Sequence, residues 1–190
     1  MSEMDDAGLL GRARMGDETA FSQLFARFQR QVFRYASYMG GQDAADDIVQ
    51  ETFLTVLRQK DRRDAPTGSL AGYLIGIARH LLMKRQASPA AWTTEEITPE
   101  LAVDPGPSAF DRLATTQSVE TVRAAVRSLP PVYREALVLC ELQDVDYTVA
   151  ASLMQCPVGT IRSRVHRARS LVAAKLEVMT RVEVDAGGSR

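Results

Sequence analysis

The stretch from Ala87 to Pro107 constrains this chain more than any other feature. It carries Pro89, Pro99, Pro105 and Pro107 among scattered threonine and acid, with no sustained hydrophobic period. Repeated proline removes backbone donors and breaks helices, so the segment reads as a linker, extended or partly disordered. Trp92 and Ile97 within it are apolar enough to dock on a surface. On either side apolar residues recur at helical spacing, and no segment shows convincing strand alternation. The expected fold is all-α: two small helical domains joined by a flexible acidic linker. The expected limits are residues 5–86, a linker over 87–112, a second domain over 113–179 and a disordered tail over 180–190, of which 185–190 should fray.

Within the first domain, Phe21, Leu24, Phe25, Phe28, Val32, Tyr35, Ala36 and Met39 follow a helical period from Asp17 to Met39. Asp17 has the side chain of an N-cap, and Gly40-Gly41 ends the helix. A second helix is expected over Asp43–Arg58, with Ile48, Thr52, Phe53, Val56 and Leu57 inward. Residues 62–68, with Pro66 and Gly68, read as a loop. Ser69 then caps a third helix whose Leu70, Tyr73, Leu74, Ile77, Ala78, Leu81 and Leu82 form an apolar stripe.

In the second domain Phe110–Leu129 is helical by pattern, and Pro130-Pro131 stops it. Pro131 also suits the first turn of a following helix that reaches about Glu141. A short helix over Tyr147–Met154, a tight turn at Gln155-Cys156 and a long helix from Pro157 to about Met179 complete the chain. A short helix, a tight turn and a basic helix form a helix-turn-helix, whose second helix enters the major groove of DNA. At about 100° per residue, Val158, Ile161, Val165, Ala168 and Val172 share one face. Gly159, Ser163, His166, Arg167 and Ser170 lie opposite, with Arg162 and Arg164 on the shoulders.

The net charge of −1 conceals a strong asymmetry. From Tyr147 to Leu176 there is no acid, against Arg162, Arg164, Arg167, Arg169 and Lys175; from Ala87 to Arg112 five carboxylates face Arg112 alone. A basic block of this kind can neutralise phosphates, while an acidic segment can shield something basic. No apolar run approaches the roughly 18 residues of a membrane span. The acidic start Met1-Ser2-Glu3-Met4-Asp5-Asp6 lacks the plan of a secretory signal, so a cytoplasmic location is expected. Cys140 and Cys156 stand far apart without a CxxC or a histidine cluster, which reads as two small apolar residues and neither a zinc site nor a redox pair. His80 and His166 have no sequence-local carboxylate partner, and no phosphate loop or nucleophile elbow occurs, so neither catalysis nor a cofactor is expected.

Three strings carry a family resemblance. Leu129-Pro-Pro-Val-Tyr-Arg-Glu-Ala-Leu-Val-Leu139 and Pro157-Val-Gly-Thr-Ile-Arg-Ser-Arg-Val-His-Arg-Ala-Arg169 resemble region 4 of the extracytoplasmic-function (ECF) sigma factors of the sigma-70 family. Asp43-Ala-Ala-Asp-Asp-Ile-Val-Gln-Glu-Thr-Phe-Leu-Thr-Val-Leu57 is similar to region 2.2, and Ile77-Ala-Arg-His-Leu-Leu-Met-Lys-Arg-Gln86 to regions 2.3 and 2.4. The resemblance implies −35 promoter contacts from Thr160, Arg162, Ser163, Arg164, His166 and Arg167. It implies −10 contacts from Arg79, His80, Met83 and Lys84, and more loosely from the loop over 59–68. Docking on the β′ clamp of core RNA polymerase falls to Asp47, Gln50, Glu51 and Leu54, which also share one helical stripe by their i, i+3, i+4, i+7 spacing. Taken without the neighbouring motifs, that stripe reads as an acidic solvated face. The implied partners are core RNA polymerase, through its β′ clamp and β flap, promoter DNA and an anti-sigma protein, and the linker is implied to follow the RNA-exit path. Thr148-Val149-Ala150 and Gln155 depart from the family, which has acidic residues with isoleucine at the first place and glycine at the second. A stand-alone helix-turn-helix regulator, or a sigma-like decoy, accounts for the last domain as well, but a stand-alone regulator leaves the Asp47–Leu54 stripe and the Arg79–Lys84 cluster without a purpose.

Overall fold

The computed structural model describes residues 6–59, 69–85 and 119–187, with side chains of the final helix described as far as residue 178. The linker over 87–112, most of the loop over 59–68 and the first part of the Phe110–Leu129 helix lie outside the described residues. The chain divides into two compact units, Met1–Pro89 and Ala90–Arg190, and the described residues of both are helical without a strand.

The first unit contains α1 (Asp6–Arg14), α2 (Glu18–Gly40), α3 (Gln42–Arg58) and α4 (Leu70–Arg85). Helix α2 is its centre: Ala20, Leu24, Phe28, Val32, Tyr35, Ala36 and Met39 are all buried at steps of three and four residues. Asp17 caps it, its carboxylate accepting from the Ala20 amide at 3.0 Å. Two glycines end it for different reasons. A Cβ on Gly40 would stand 2.5 Å from Leu82 Cδ2, so Gly40 permits the close approach of α4, while Gly41 has φ 88°, the conformation that turns the chain into α3.

Helix α3 buries Ala45, Ile48, Val49, Thr52, Phe53 and Val56, and the Thr52 hydroxyl donates to the Ile48 carbonyl at 2.6 Å. Leu57, expected inward, is only half-buried. Helix α4 begins as expected, with Ser69 Oγ accepting from the Gly72 amide at 3.1 Å. Its buried face is Leu70, Gly72, Leu74, Ile75, Ala78 and Leu82; Tyr73, Ile77 and Leu81 of the expected stripe are only half-buried, and Gly72 and Ile75 take their place. Tyr73 is half-buried because its hydroxyl is used: it donates to Gln59 Oε1 and accepts from Arg14 Nη2 at 3.3 Å. Helix α1 was not foreseen as an element. Its burial rests on Leu9, Leu10 and Ala13, too short a run to display a period, together with Arg14, whose Nε donates to the Val56 carbonyl at 3.3 Å.

The second unit contains α5 (Val119–Arg127), α6 (Pro131–Leu137), α7 (Tyr147–Met154) and α8 (Val158–Gly187). Pro131 occupies the first turn of α6 as expected. Beyond Leu137 the helix widens into a π turn over Val138–Leu142, where one continuous helix to Glu141 was expected. Helix α8 runs to Gly187, beyond the expected end at about 179. Leu129, Leu137, Leu139, Ile161, Val172 and Leu176 are at most 1% exposed and form the centre of this unit.

Gln155 has φ 52° and ψ 47°, a left-handed cap closing α7 in a place suited to glycine. Gln155→Gly is expected to raise the stability of this unit by about 0.5 kcal/mol, the relief of left-handed strain less the larger chain entropy of glycine. A small upward shift of the urea midpoint at unchanged slope would register it.

Candidate nucleic-acid and polymerase interfaces

The turn between α7 and α8 sets the geometry of the basic face. Asp146 caps α7, its carboxylate accepting from the Thr148 amide at 2.7 Å and from the Thr148 hydroxyl. At the other end of α7 the Cys156 amide donates to the Ala151 carbonyl at 3.0 Å, and the chain passes directly into α8. Helix α7 rests on Ala150, Ala151 and Met154, so the alanine that departs from the family pattern at position 150 is a core residue with no exposed surface.

In α8, Ile161, Val165, Ala168 and Val172 are buried at no more than 3% exposure, as the period required, while Val158 at the helix start is only half-buried. Gly159, Arg162, His166, Arg167 and Ser170 are exposed on the other side. Thr160 and Ser163 are half-buried at the edge, and the Ser163 hydroxyl donates to the Thr160 carbonyl at 3.0 Å. Arg164 corrects the expectation. It is 8% exposed, and its Nη1 lies 3.7 Å from Cys156 Sγ. At about 100° per residue it falls only some 70° from the centre of the apolar stripe, and the turn folds back over it. It therefore supports the turn and is withdrawn from the outer face.

Arg169, part of the same basic string, is tied down: its Nη2 donates to Glu141 Oε2 at 2.6 Å, with both side chains less than one-third exposed. This pair joins α8 to the π turn. The outer face is thus carried by Arg162, His166 and Arg167, a fork-shaped donor on each flank of an imidazole, with small residues between them.

In the first unit Asp47, Gln50, Glu51 and Leu54 are all exposed along α3, as expected from their spacing. Leu54 is 47% exposed, unusual for a large apolar side chain in this unit. A groove of about 410 Å³ between α2 and α3, lined by Phe25, Gln29, Phe33, Val49 and Gln50 among others, opens beside this stripe. In α4, His80 and Lys84 are exposed while Arg79 and Met83 are half-buried. The structure adds Arg85, which sequence reasoning missed: its Nη2 is 2.9 Å from Glu51 and its Nη1 3.5 Å from Asp47. The basic end of α4 and the acidic stripe of α3 are therefore one connected surface. The only sequence signal was the adjacency of Arg85 to Lys84, since the contact spans two helices. Among the described residues no group of three or more potential ligands could hold a metal, and no helix is long and apolar enough to cross a membrane.

The Thr148 hydroxyl and amide hold the Asp146 carboxyl below the usual carboxylate range. A carboxyl lowered in the folded state contributes stability above its unfolded value and loses it as pH falls through the folded value. Thermal unfolding of wild type should accordingly show a loss below about pH 4 that Asp146→Asn lacks, since asparagine keeps the cap without titrating.

Comparison with known proteins matches both units. Residues 24–92 match Sigma-70 region 2 and residues 120–172 match Sigma-70 region 4. The probable RNA polymerase sigma-C factor of Mycobacterium bovis is 34% identical, over 87% of this chain and 88% of the relative. The ECF RNA polymerase sigma-E factor of Escherichia coli is 30% identical, over 95% of this chain and all of the relative. Among solved structures, CnrH in complex with the cytosolic domain of CnrY superposes with a TM-score of 0.64 at 23% identity, covering 91% of this chain and 97% of that one. The sigma factor RpoE of Bartonella quintana, in complex with the anti-sigma factor NepR, gives 0.62 at 24% identity, covering 83% and 97%. With two regions matched in order and relatives aligned over nearly the whole length, this chain belongs to the ECF sigma factors of the sigma-70 family.

Proposed function

We propose that this alternative sigma factor divides its work among three surfaces: α3 engages core RNA polymerase, the end of α4 engages the −10 element, and the outer face of α8 reads the −35 element. The observation that carries this reading is the segregation of charge and exposure. An acidic and amide stripe with an exposed leucine suits a protein partner, since phosphate contact calls for positive charge. A helix that buries Ile161, Val165, Ala168 and Val172 and turns Arg162, His166 and Arg167 outward suits base edges and phosphates in the major groove. Asp47, Gln50, Glu51 and Leu54 accordingly dock on the β′ clamp, and the β flap supports the second unit.

At the −10 element, Arg79, His80, Met83 and Lys84 supply positive charge and an edge for unstacked bases. Tyr73, committed to Gln59 and Arg14, is not available as a stacking platform. Promoter opening therefore depends on the holoenzyme. The exposed faces of both units also call for a protein that hides them until transcription is required, and an anti-sigma protein fills that role.

The test is run-off transcription on a pooled promoter library with purified core polymerase, with and without this protein. New transcripts sharing two upstream elements are expected. Transcripts absent, with DNA bound by the protein alone, would make it a stand-alone regulator. Arg167→Ala should weaken −35 recognition by about 1–3 kcal/mol, seen as loss of discrimination against mutated −35 sites, while core binding is unchanged. Replacing Asp47, Gln50 and Glu51 together with alanine should do the reverse. Loss of the same function in both variants would refute the division of labour.

A further inference from the structure

We propose that Cys156 is a reactive thiolate site, stabilised by the buried guanidinium of Arg164 at the start of α8, and that covalent modification of its sulfur by a soft electrophile disables the DNA-reading face. The loss of DNA reading rests on the assignment of α8 to promoter DNA; the reactivity does not.

Three observations converge on this sulfur. Cys156 forms no disulfide and is partly accessible. Arg164, more than nine-tenths buried, brings Nη1 to 3.7 Å from Sγ. The Arg164 Nε is also buried without a partner, and no carboxylate of the described residues pairs with this side chain. A guanidinium remains charged at every accessible pH, so a buried one without an anion is costly. Deprotonation of Cys156 supplies the missing anion at hydrogen-bonding distance. The sulfur also lies two residues before Val158, where the partial positive charge of a long helix favours an anion.

Cys140 is the built-in contrast. Burial, with Glu141 and Asp146 nearby, pushes its thiol up to about 11. One cysteine therefore faces a cation and the other faces carboxylates. In alkylation by iodoacetamide, the Cys156 thiol proton passes to solvent and the sulfur lone pair attacks the α-carbon. The S–C bond forms as the C–I bond breaks, and iodide leaves. The added group displaces the Arg164 contact and sits beside Pro157 at the entry to the face bearing Thr160, Arg162, His166 and Arg167.

The experiment uses the full chain and iodoacetamide at pH 7, with the two cysteines followed separately by peptide mass spectrometry and glutathione as a reference thiol. Cys156 is expected to react about tenfold faster than glutathione, and Cys140 far more slowly than either. Arg164→Met should slow Cys156 towards the reference rate and Arg164→Lys should restore part of the gain, which a purely structural role for Arg164 would not produce. The wild-type comparison with glutathione stands even where Arg164→Met fails to fold. Cys156 reacting no faster than glutathione would overturn the proposal. The alkylated Cys140→Ser protein, assembled with core polymerase, should lose at least about tenfold of its −35-dependent transcript, while Cys156→Ser treated likewise keeps it. Undiminished transcription from fully alkylated protein would also overturn the proposal. Failure of the −35 assignment itself would appear separately, as unmodified protein indifferent to −35 mutation.

Discussion

Burial of one stripe on α8 is the constraint on which the second unit depends. Ile161, Val165, Ala168, Val172 and Leu176 have almost no exposed surface, and α5, α6 and α7 gather around that stripe. A helix with one apolar face can satisfy the hydrophobic term in only one rotational setting. Once that setting is taken, Arg162, His166 and Arg167 have nowhere to point but outward. The reading face is in this sense a by-product of core packing. The Arg169–Glu141 pair adds direction, because a partly buried charge-assisted bond has a geometry that apolar contact lacks.

The first unit solves a different problem, holding an acidic stripe and a basic helix end on one rigid body. Helix α2 provides the core for α1, α3 and α4. Gly40 lets Leu82 approach to a distance that no side chain would permit, which brings the end of α4 against the α2–α3 corner. From there Arg85 reaches Glu51 and Asp47. An exposed ion pair of this kind adds little stability. Its consequence is positional: the groups assigned to polymerase and those assigned to the −10 strand share a hydrogen-bonded edge, so a change in one is felt by the other.

Much of this was legible in advance because it depends on local chemistry. Asp17 and Ser69 cap the helices they were expected to cap, since a short side-chain acceptor before an apolar period has few other uses. The exposed α3 stripe and the outward face of α8 followed from periodicity. Helix α1 did not, because a nine-residue helix with two adjacent leucines displays no period. The π turn after Leu137 was equally hidden, as nothing in Val138–Leu142 distinguishes one helical winding from another. At Gln155, where the family pattern has glycine, the backbone keeps the left-handed cap that glycine would favour.

The sequence by itself determined the helical class, the division at a proline-rich segment and the sign of charge on each face, all of which follow from residue type and spacing. Only the tertiary structure decided which charges are free to act. Arg164 and Arg169 belong to the same basic string as Arg162 and Arg167, yet one is buried against a thiol and the other held by Glu141. A helical wheel locates a side chain to within a fraction of a turn, whereas burial depends on what another segment places over it. Ile75 displaced Tyr73 from the core of α4, and Cys156 differs from Cys140, for that same reason: neighbours distant in sequence set the environment.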